Sequence, residues 1–284
     1  MTDILGRLLN FDGTGELLGL PFVQNALLAS AILGLVAGVL APLVVGRGMG
    51  FAVHGTSELA FTGAAAALLL GISVSVGAVV GAVIAGLVFG ALGLRRRERD
   101  SVIGVVLAFG LGLGVLLLGL YSGRASNKFG LLTGSIVSVD ASNLWVLGGV
   151  AVVVLGTLAV IYRPLLFAST DPDVAVARGV PVRLLSPLFA VLVSLTTALA
   201  VPIVGAILVL SVTIIPGAAA ARVTSSPLKA TLLAVAIAEV ALLGGTVLSL
   251  APGLSISGYV ATIAFLAYLA CRVIGRARGA VRPG

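Results

Sequence analysis

Long apolar runs follow one another along this chain, divided by short polar breaks or by breaks containing glycine and proline. A helix of about 20 apolar residues crosses the hydrocarbon core of a bilayer. We therefore predict nine membrane-spanning helices, or eight if the short sixth run is re-entrant or split. The predicted spans are 22–45, 49–71, 72–94, 102–121, 144–162, 185–201, 204–221, 228–250 and 256–274.

Composition supports this interpretation and excludes a soluble domain. Hydrophobic residues make up 60% of the 284 positions, charged residues make up 10%, and the mean hydropathy is +1.25. A soluble protein has too little interior to hide so much apolar surface. The sequence predicts an all-α polytopic membrane protein with one integral-membrane domain over residues 1–284. Its parts are an extracytoplasmic lead at 1–21, a helical bundle at 22–275 and a cytoplasmic tail at 276–284.

The positions of the basic residues predict the orientation. With nine spans and the N-terminus outside, 14 of the 17 lysines and arginines fall in cytoplasmic segments. Arg7, Arg124 and Lys128 are the exceptions. Cytoplasmic loops of membrane proteins are enriched in basic residues. The C-terminus is accordingly predicted in the cytoplasm, and the net charge of +7 gives no reason to expect nucleic acid as a partner.

The second predicted span carries two ionisable residues, His54 and Glu58. Residues four apart on a helix lie on the same face, one turn above each other. Ionisable groups within a membrane span cost roughly 2.5–3.5 kcal/mol on insertion scales and usually face a partner or a cavity. Imidazole and carboxylate are also ligands of Mn(II), Zn(II) and Fe(II). We therefore predict that this pair binds a divalent metal ion.

Glu239, in the eighth predicted span, is a candidate third ligand because its depth in the membrane is similar. For all three residues a simpler role stays open. His54 and Glu58 are able to bind each other in a packing contact, and Glu239 to bond a neighbouring helix as a neutral acid. A third reading makes the three residues a proton relay.

Small residues and proline indicate how the helices pack. Gly34/Gly38, Gly77/Gly81, Gly86/Gly90 and Gly110/Gly114 have the spacing of closely packed membrane helices. Pro216 and Gly217 in the seventh span predict a bend or a helix end, which is a possible gate or hinge.

No nucleotide-binding loop of the G-x-x-x-x-G-K-[ST] type occurs in the chain. If transport uses ATP, hydrolysis belongs to a separate protein, so the chain is not predicted to be an enzyme. A tightly bound cofactor is not expected either. The single cysteine, Cys271, excludes an intrachain disulfide.

Three stretches resemble the permease family of ABC importers for manganese, zinc and iron. Residues 49–71 resemble the family stretch M-x-L-x-G-D-A-I-S-H-A-x-L-P-G-x-A-x-A-x-x-L-G, in which Met49, Ser57, Gly63, Ala65 and Gly71 fit. Residues 171–180 resemble its D-P-E-x-A-x-x-x-G-I segment. Residues 204–222 resemble its V-G-x-L-L-V…P-A-x-x-A stretch.

The resemblance implies a multi-pass permease of the bacterial cell membrane that pairs with a second permease copy, binds two ATPase subunits and receives metal from an extracytoplasmic binding protein. It also implies that residues 171–179 form a cytoplasmic loop next to the ATPase. The residues to which the resemblance assigns this ATPase contact are Asp171, Pro172, Asp173, Ala175 and Gly179.

One departure from the family stretch concerns the candidate site. Where the family has aspartate this chain has His54, and where it has histidine four residues later this chain has Glu58. The family's neighbouring proline is Thr62 here. Both donor types are kept on one helix face in exchanged order.

The function expected from the sequence is ATP-driven import of Mn, Zn or Fe(II) by alternating access around a midplane His/Glu site. An ATP-independent metal or proton-coupled transporter is the alternative. An ABC permease for a siderophore is less compatible with small residues and ionisable ligands along the expected pore.

Overall fold

A computed structural model describes residues 14–91, 96–135, 141–277 and 279. Thirteen α-helices occupy most of this part of the chain. They are α1 (Thr14–Leu17), α2 (Pro21–Gly46), α3 (Gly50–Leu70), α4 (Val74–Ala91), α5 (Arg96–Leu120), α6 (Ala125–Thr133), α7 (Ala141–Thr170), α8 (Pro172–Ala177), α9 (Val182–Val204), α10 (Val209–Thr213), α11 (Ile215–Ala220), α12 (Pro227–Leu250) and α13 (Ile256–Ala277). A 3₁₀ turn, Ala206–Leu208, lies between α9 and α10.

Six helical segments in the described part of the chain are long and apolar enough to cross a membrane. They are Pro21–Gly46, Ser101–Leu120, Asn143–Thr170, Val182–Val204, Pro227–Leu250 and Ile256–Ala277. Val74–Phe89 and Ala206–Ala220 are shorter apolar segments. The prediction of an all-helical membrane protein is confirmed, whereas the predicted count of nine stays a prediction.

The helix α3 is outside those six although its 21 residues give it a length of about 31 Å. It is the helix that contains His54 and Glu58, and most of its residues are buried against other helices. Its small residues make this burial possible. A Cβ atom on Gly63 would meet the backbone oxygen of Gly77, and one on Gly81 would meet the backbone oxygen of Leu59. The backbones of α3 and α4 are therefore in direct contact.

The helix α3 also packs against α5. A Cβ on Gly110 would lie 3.2 Å from Leu59 Cδ2, and one on Gly114 would lie 2.5 Å from Phe61 Cε1. The side chain of Thr62 lies within hydrogen-bond distance of the Gly110 carbonyl oxygen, at 2.6 Å. The helix α3 is thus fixed between two neighbours, and α4 in turn packs against α9 through Gly86.

A second pair of helices, α2 and α12, packs in the same manner. A Cβ on Gly38 would lie 2.5 Å from the Cα of Val235. Ser30 and Thr246, both fully buried, share a hydrogen bond of 2.9 Å across this contact. The helix α13 packs on the outer side of α12. The glycine spacings at Gly34/Gly38, Gly77/Gly81 and Gly110/Gly114 are accordingly packing sites, as predicted.

The seventh predicted span is interrupted and does not form one continuous helix. Residues 204–221 form the 3₁₀ turn, α10 and α11 in succession. Gly205, with φ of +81°, begins the break, and Pro216 follows the second interruption at Ile214. Irregular backbone at membrane depth is tolerated where protein buries it, and Val204, Ala206 and Val209 are buried. The sixth span, expected to be the doubtful one, is the unbroken 23-residue helix α9.

Three predicted loops are partly helical. Residues 96–100, expected in a charged loop, form the beginning of α5. The polar segment 122–143 contains α6, and α7 continues through Arg163 to Thr170. Helix propensity of arginine and glutamate lets a helix continue beyond the apolar run. Arg95, most of the lead at 1–21 and most of the tail at 276–284 lie outside the described residues.

The contact between α3 and α4 predicts a stability difference between two glycine substitutions. Gly81→Ala places a methyl group against the Leu59 carbonyl, so we expect a lower midpoint of thermal unfolding in detergent. Gly112→Ala is the matched control, because a Cβ there has no neighbour within 4 Å. Replacing a glycine inside a helix by alanine stabilises the helix by about 0.5–1 kcal/mol. Equal midpoints for the two variants would contradict the packing.

Candidate functional site

The turn between α2 and α3 places the candidate pair near the beginning of α3. Gly48 has φ of +64°, a conformation that side chains with a Cβ rarely adopt. The backbone N–H of Met49 donates to the Val44 carbonyl at 3.0 Å, which closes the turn. The helix begins at Gly50, so His54 is its fifth residue and Glu58 its ninth.

The depth of the two residues within α3 differs. Ala60 is the central residue of Gly50–Leu70. At a rise of 1.5 Å per residue, Glu58 is about 3 Å and His54 about 9 Å from this centre along the helix axis. The carboxylate thus lies close to the middle of the helix, while the imidazole is nearer the end where α3 begins.

The two side chains approach each other without forming a hydrogen bond. Nδ1 of His54 lies 4.0 Å from Oε1 of Glu58, which exceeds the distance of a hydrogen bond. The side chain of Glu58 is 5% exposed and that of His54 is 33% exposed. The carboxylate is therefore in the protein interior, whereas one side of the imidazole is accessible.

Two buried polar atoms of the pair have no hydrogen-bonding partner within the described chain. They are Nδ1 of His54 and Oε2 of Glu58. More than nine in ten buried polar groups in proteins are paired, and an exception requires an explanation. An imidazole nitrogen and a carboxylate oxygen without hydrogen-bonding partners are the kinds of donor atom that a divalent cation binds.

Hydroxyl groups surround the pair. Ser57 donates to the carbonyl oxygen of His54 at 2.8 Å. The Thr62 hydroxyl lies 2.8 Å from the carbonyl of Glu58 and 2.6 Å from that of Gly110, so its proton holds α3 and α5 together at the level of Glu58. Thr56 and Thr197 meet at 3.4 Å between α3 and α9.

Thr62 is a site residue that sequence reasoning missed. The residue drew attention only as a departure from a proline. Its fixed contact with Gly110, 48 positions further along the chain, is a tertiary feature. The available signal was a buried threonine four residues after an ionisable group, and this alone does not identify a partner helix.

Glu239 lies at a different contact. Its carboxylate rests against α2: a Cβ on Gly34 would lie 2.8 Å from Glu239 Cδ and 2.9 Å from Oε1. Gly34 therefore provides the room for this carboxylate between α2 and α12. Among the described residues, no group of three or more His, Cys, Asp and Glu side chains is arranged to hold a metal ion. His54 and Glu58 are brought together, and Glu239 is not brought to them.

The segment 171–179 forms a short exposed helix, α8, with one anchored side. Asp171 caps it by accepting a hydrogen bond of 3.0 Å from the Val174 N–H. Ala175 is fully buried, whereas Val174 and Val176 are 44% and 58% exposed. Gly179 ends the segment with φ of +79°. The exposed surface of α8 therefore contains two valines and the acidic Asp173.

Pro216 and Gly217 lie where α11 begins, next to α2. A Cβ on Gly217 would lie 2.7 Å from the nitrogen of Pro42. The break at Ile214 also reaches α3, since a Cβ on Gly50 would lie 3.1 Å from Ile214 Cδ1. The predicted helix interruption is present, and it contacts the beginning of the helix that carries His54 and Glu58.

Comparisons with known proteins agree with this architecture. The profile of the ABC 3 transport family matches residues 19–275. The chain is 33% identical over 211 residues to the manganese transport system membrane protein MntC of Halalkalibacterium halodurans, covering 74% of this chain and 72% of that protein. It is 27% identical over 227 residues to the high-affinity zinc uptake system membrane protein ZnuB of Haemophilus influenzae, covering 79% and 86% respectively.

A solved structure has the same fold. The chain superimposes on PsaBC from Streptococcus pneumoniae, determined in complex with a Fab, with a TM-score of 0.80 and 26% identity. The match covers 92% of this chain and 93% of that one. Six apolar helices and this similarity define a multi-pass protein of the cell membrane. Since the family profile spans nearly the whole sequence, the chain belongs to the ABC 3 transport family.

Proposed function

We propose that this protein is the membrane-spanning permease subunit of an ATP-driven importer for a divalent transition metal, namely Mn, Zn or Fe(II). The observation that carries the proposal is the pair on α3, a buried carboxylate and an imidazole, each of which has one buried atom without a hydrogen-bond partner in the described chain. Family membership and the similarity to manganese and zinc permeases support the same cargo class.

The chemistry of the pair explains how an ion would bind and leave. His54 offers an imidazole nitrogen and Glu58 a carboxylate oxygen, which together replace part of the hydration shell of a divalent ion. Two protein donors make an incomplete cage. A transported ion must bind well enough to enter and weakly enough to be released, so an incomplete cage suits transport better than storage.

We also propose nine membrane crossings, with the N-terminus outside and the C-terminus in the cytoplasm. The helix α3, together with the shorter apolar segments Val74–Phe89 and Ala206–Ala220, would complete the six longer spans. In this orientation α3 begins at the cytoplasmic side, and α8 lies in the cytoplasm. Residues 1–284 would then form one integral domain.

The energy source would be a separate pair of ATPase subunits, since the sequence has no nucleotide-binding loop of its own. The exposed helix α8 is the proposed contact for one ATPase. A second copy of this permease would complete the pore, and an extracytoplasmic binding protein would deliver the metal. Movement of α8 would change the side to which the site opens, with the break at Pro216 and Gly217 as the hinge.

One prediction of the proposed function concerns the two proposed metal ligands, His54 and Glu58. Glu58→Gln keeps side-chain size but weakens a ligand, and His54→Asn replaces the imidazole by a smaller amide, so we expect uptake to fall about tenfold or more in each. The exchange His54→Asp with Glu58→His keeps an imidazole and a carboxylate and should retain more uptake than either single variant. Glu16→Gln, at an exposed carboxylate of α1, is the control.

The measurement is accumulation of Mn, Zn and Fe by mass spectrometry in cells without their own importers, with the ATPase and capture protein co-expressed. Normal uptake by Glu58→Gln would refute the site. Uptake that persists with an inactive ATPase would instead indicate a secondary or proton-coupled transporter. If none of the three free ions accumulates, a metal chelate such as a siderophore would be favoured as the cargo.

A second prediction separates Glu239 from the pair. Because the carboxylate of Glu239 lies on Gly34 of α2, Glu239→Gln should leave the metal affinity of the detergent-solubilised permease unchanged, while Glu58→Gln lowers it. Equilibrium dialysis with radioactive manganese measures both. An equal loss of affinity in the two variants would place Glu239 among the ligands and contradict the separation.

A third prediction concerns α8. Asp173→Arg reverses a charge on its exposed surface, and Asp171→Asn removes a charge while keeping an N-cap acceptor. Both should reduce co-purification of the ATPase, with the larger loss for Asp173→Arg. Glu16→Arg is the matched reversal on α1. Unchanged co-purification of the ATPase with Asp173→Arg would argue against α8 as the contact.

A further inference from the structure

Arg47 links three helices at one end of the bundle. It follows the last residue of α2, and its guanidinium donates to two serines on other helices. One bond, of 2.8 Å, reaches Ser169 Oγ near the end of α7. The other, of 3.2 Å, reaches Ser186 Oγ near the beginning of α9. The partners are 122 and 139 positions away in the sequence.

The two serines flank α8 in the chain. Ser169 lies three residues before the helix begins at Pro172, and Ser186 follows its end by nine residues. Ser169 donates its own proton to the Leu165 carbonyl at 2.7 Å, so its oxygen lone pairs are available to Arg47. Arg47 therefore holds both polypeptide segments from which α8 extends.

An aromatic contact fixes the guanidinium further. Its carbon lies 5.2 Å from the ring centroid of Phe189, within the range of a cation–π interaction. Phe189 is fully buried in the main hydrophobic core. A planar group that stacks on a ring and donates to two hydroxyls is a role that arginine fills and lysine does not.

Arg47 also lies close to the beginning of α3. Only Gly48 and Met49 separate Arg47 from Gly50, where α3 begins. The turn is closed by hydrogen bonds from Arg47 N–H to the Leu43 carbonyl and from Met49 N–H to the Val44 carbonyl, each of 3.0 Å. This short hydrogen-bonded turn therefore connects Arg47 to the first turn of the helix that carries the pair.

Each of the three linked helices has an interior proline near this end. They are Pro42 in α2, Pro164 in α7 and Pro187 in α9. A proline inside a helix removes one backbone hydrogen bond and is a common site of bending. Each of the three helix ends joined by Arg47 thus has a proline at which the helix is able to bend.

We propose that Arg47 is the positioning residue that couples movement of α8 to the metal site on α3. The inference rests on the proposed function, since it assumes that α8 meets the ATPase. When α8 is displaced, Ser169 and Ser186 move with it. Arg47 follows both serines, and the short turn at Gly48 passes the displacement to α3.

The test measures coupling rather than activity alone. The full complex of permease, ATPase and capture protein is reconstituted in vesicles, and radioactive manganese uptake is measured together with ATP hydrolysis. Arg47→Ala should lower the metal moved per ATP about tenfold, whereas ATP hydrolysis continues. Arg47→Lys should fall between Arg47→Ala and the unmodified protein. Arg272→Ala, an exposed arginine of α13, is the control.

A combination of variants tests the named contacts. Ser169→Ala with Ser186→Ala should reproduce the loss, and the addition of Arg47→Ala should reduce the ratio no further, because interacting residues are not additive. An unchanged ratio of metal to ATP in Arg47→Ala would overturn the inference. A full further loss in the triple variant would overturn it as well.

Spin labels provide a readout that needs no cargo. Labels at Leu184→Cys, at the beginning of α9 two residues before Ser186, and at Leu70→Cys on α3, both exposed positions, are placed in a Cys271→Ser background. ATP should change their separation in the complex with Arg47, change it less in Arg47→Lys and leave it unchanged in Arg47→Ala. An equal change of the label separation in the unmodified protein and in Arg47→Ala would refute the role of Arg47. Movement without metal uptake would refute the proposed cargo and leave the coupling role supported.

Discussion

Direct contact between backbones fixes α3, and the geometry of the candidate site depends on it. Gly63, Gly77 and Gly81 bring α3 and α4 together, and Gly110 brings α5 against α3. Helices in lipid gain nothing from apolar burial as such and associate through close packing of small residues. With α3 held by two helices in this way, the helix has little freedom to rotate. Glu58 is therefore kept in the interior, and His54 stays at its partly exposed position.

The cost of the buried pair indicates a function. Their closest nitrogen and oxygen atoms are 4.0 Å apart, and each residue retains a buried atom without a hydrogen-bond partner. A purely structural pair would be expected to satisfy these atoms, since low polarity makes an unpaired group expensive. The protein tolerates the arrangement in a helix that is otherwise well packed. A ligand that uses both lone pairs gives the arrangement a physical reason.

Sequence reasoning predicted an all-helical membrane protein and the pair on one helix face, because length and spacing are local properties, whereas the segment 171–179 was implied by the resemblance to the permease family. It placed the doubtful span at 185–201 instead of 204–221, because apolar composition does not distinguish a continuous helix from a buried broken one. Matching by depth suggested Glu239 as a ligand. Depth alone does not identify the neighbouring helix, and the carboxylate lies against Gly34 on α2. The sequence assigned no specific role to Arg47, because its hydrogen-bond partners are 122 and 139 positions away.

The exchanged donor order is compatible with the surroundings of the two positions. His54 and Glu58 share one face, so exchanging imidazole and carboxylate moves each donor by one turn of about 5.4 Å along the helix. Thr62, where the related stretch has proline, meets the carbonyls of Glu58 and Gly110. A proline there would lack the N–H that normally bonds the residue 58 carbonyl. The threonine keeps that N–H and adds a hydroxyl, so α3 is more firmly held at the level where this chain places its carboxylate.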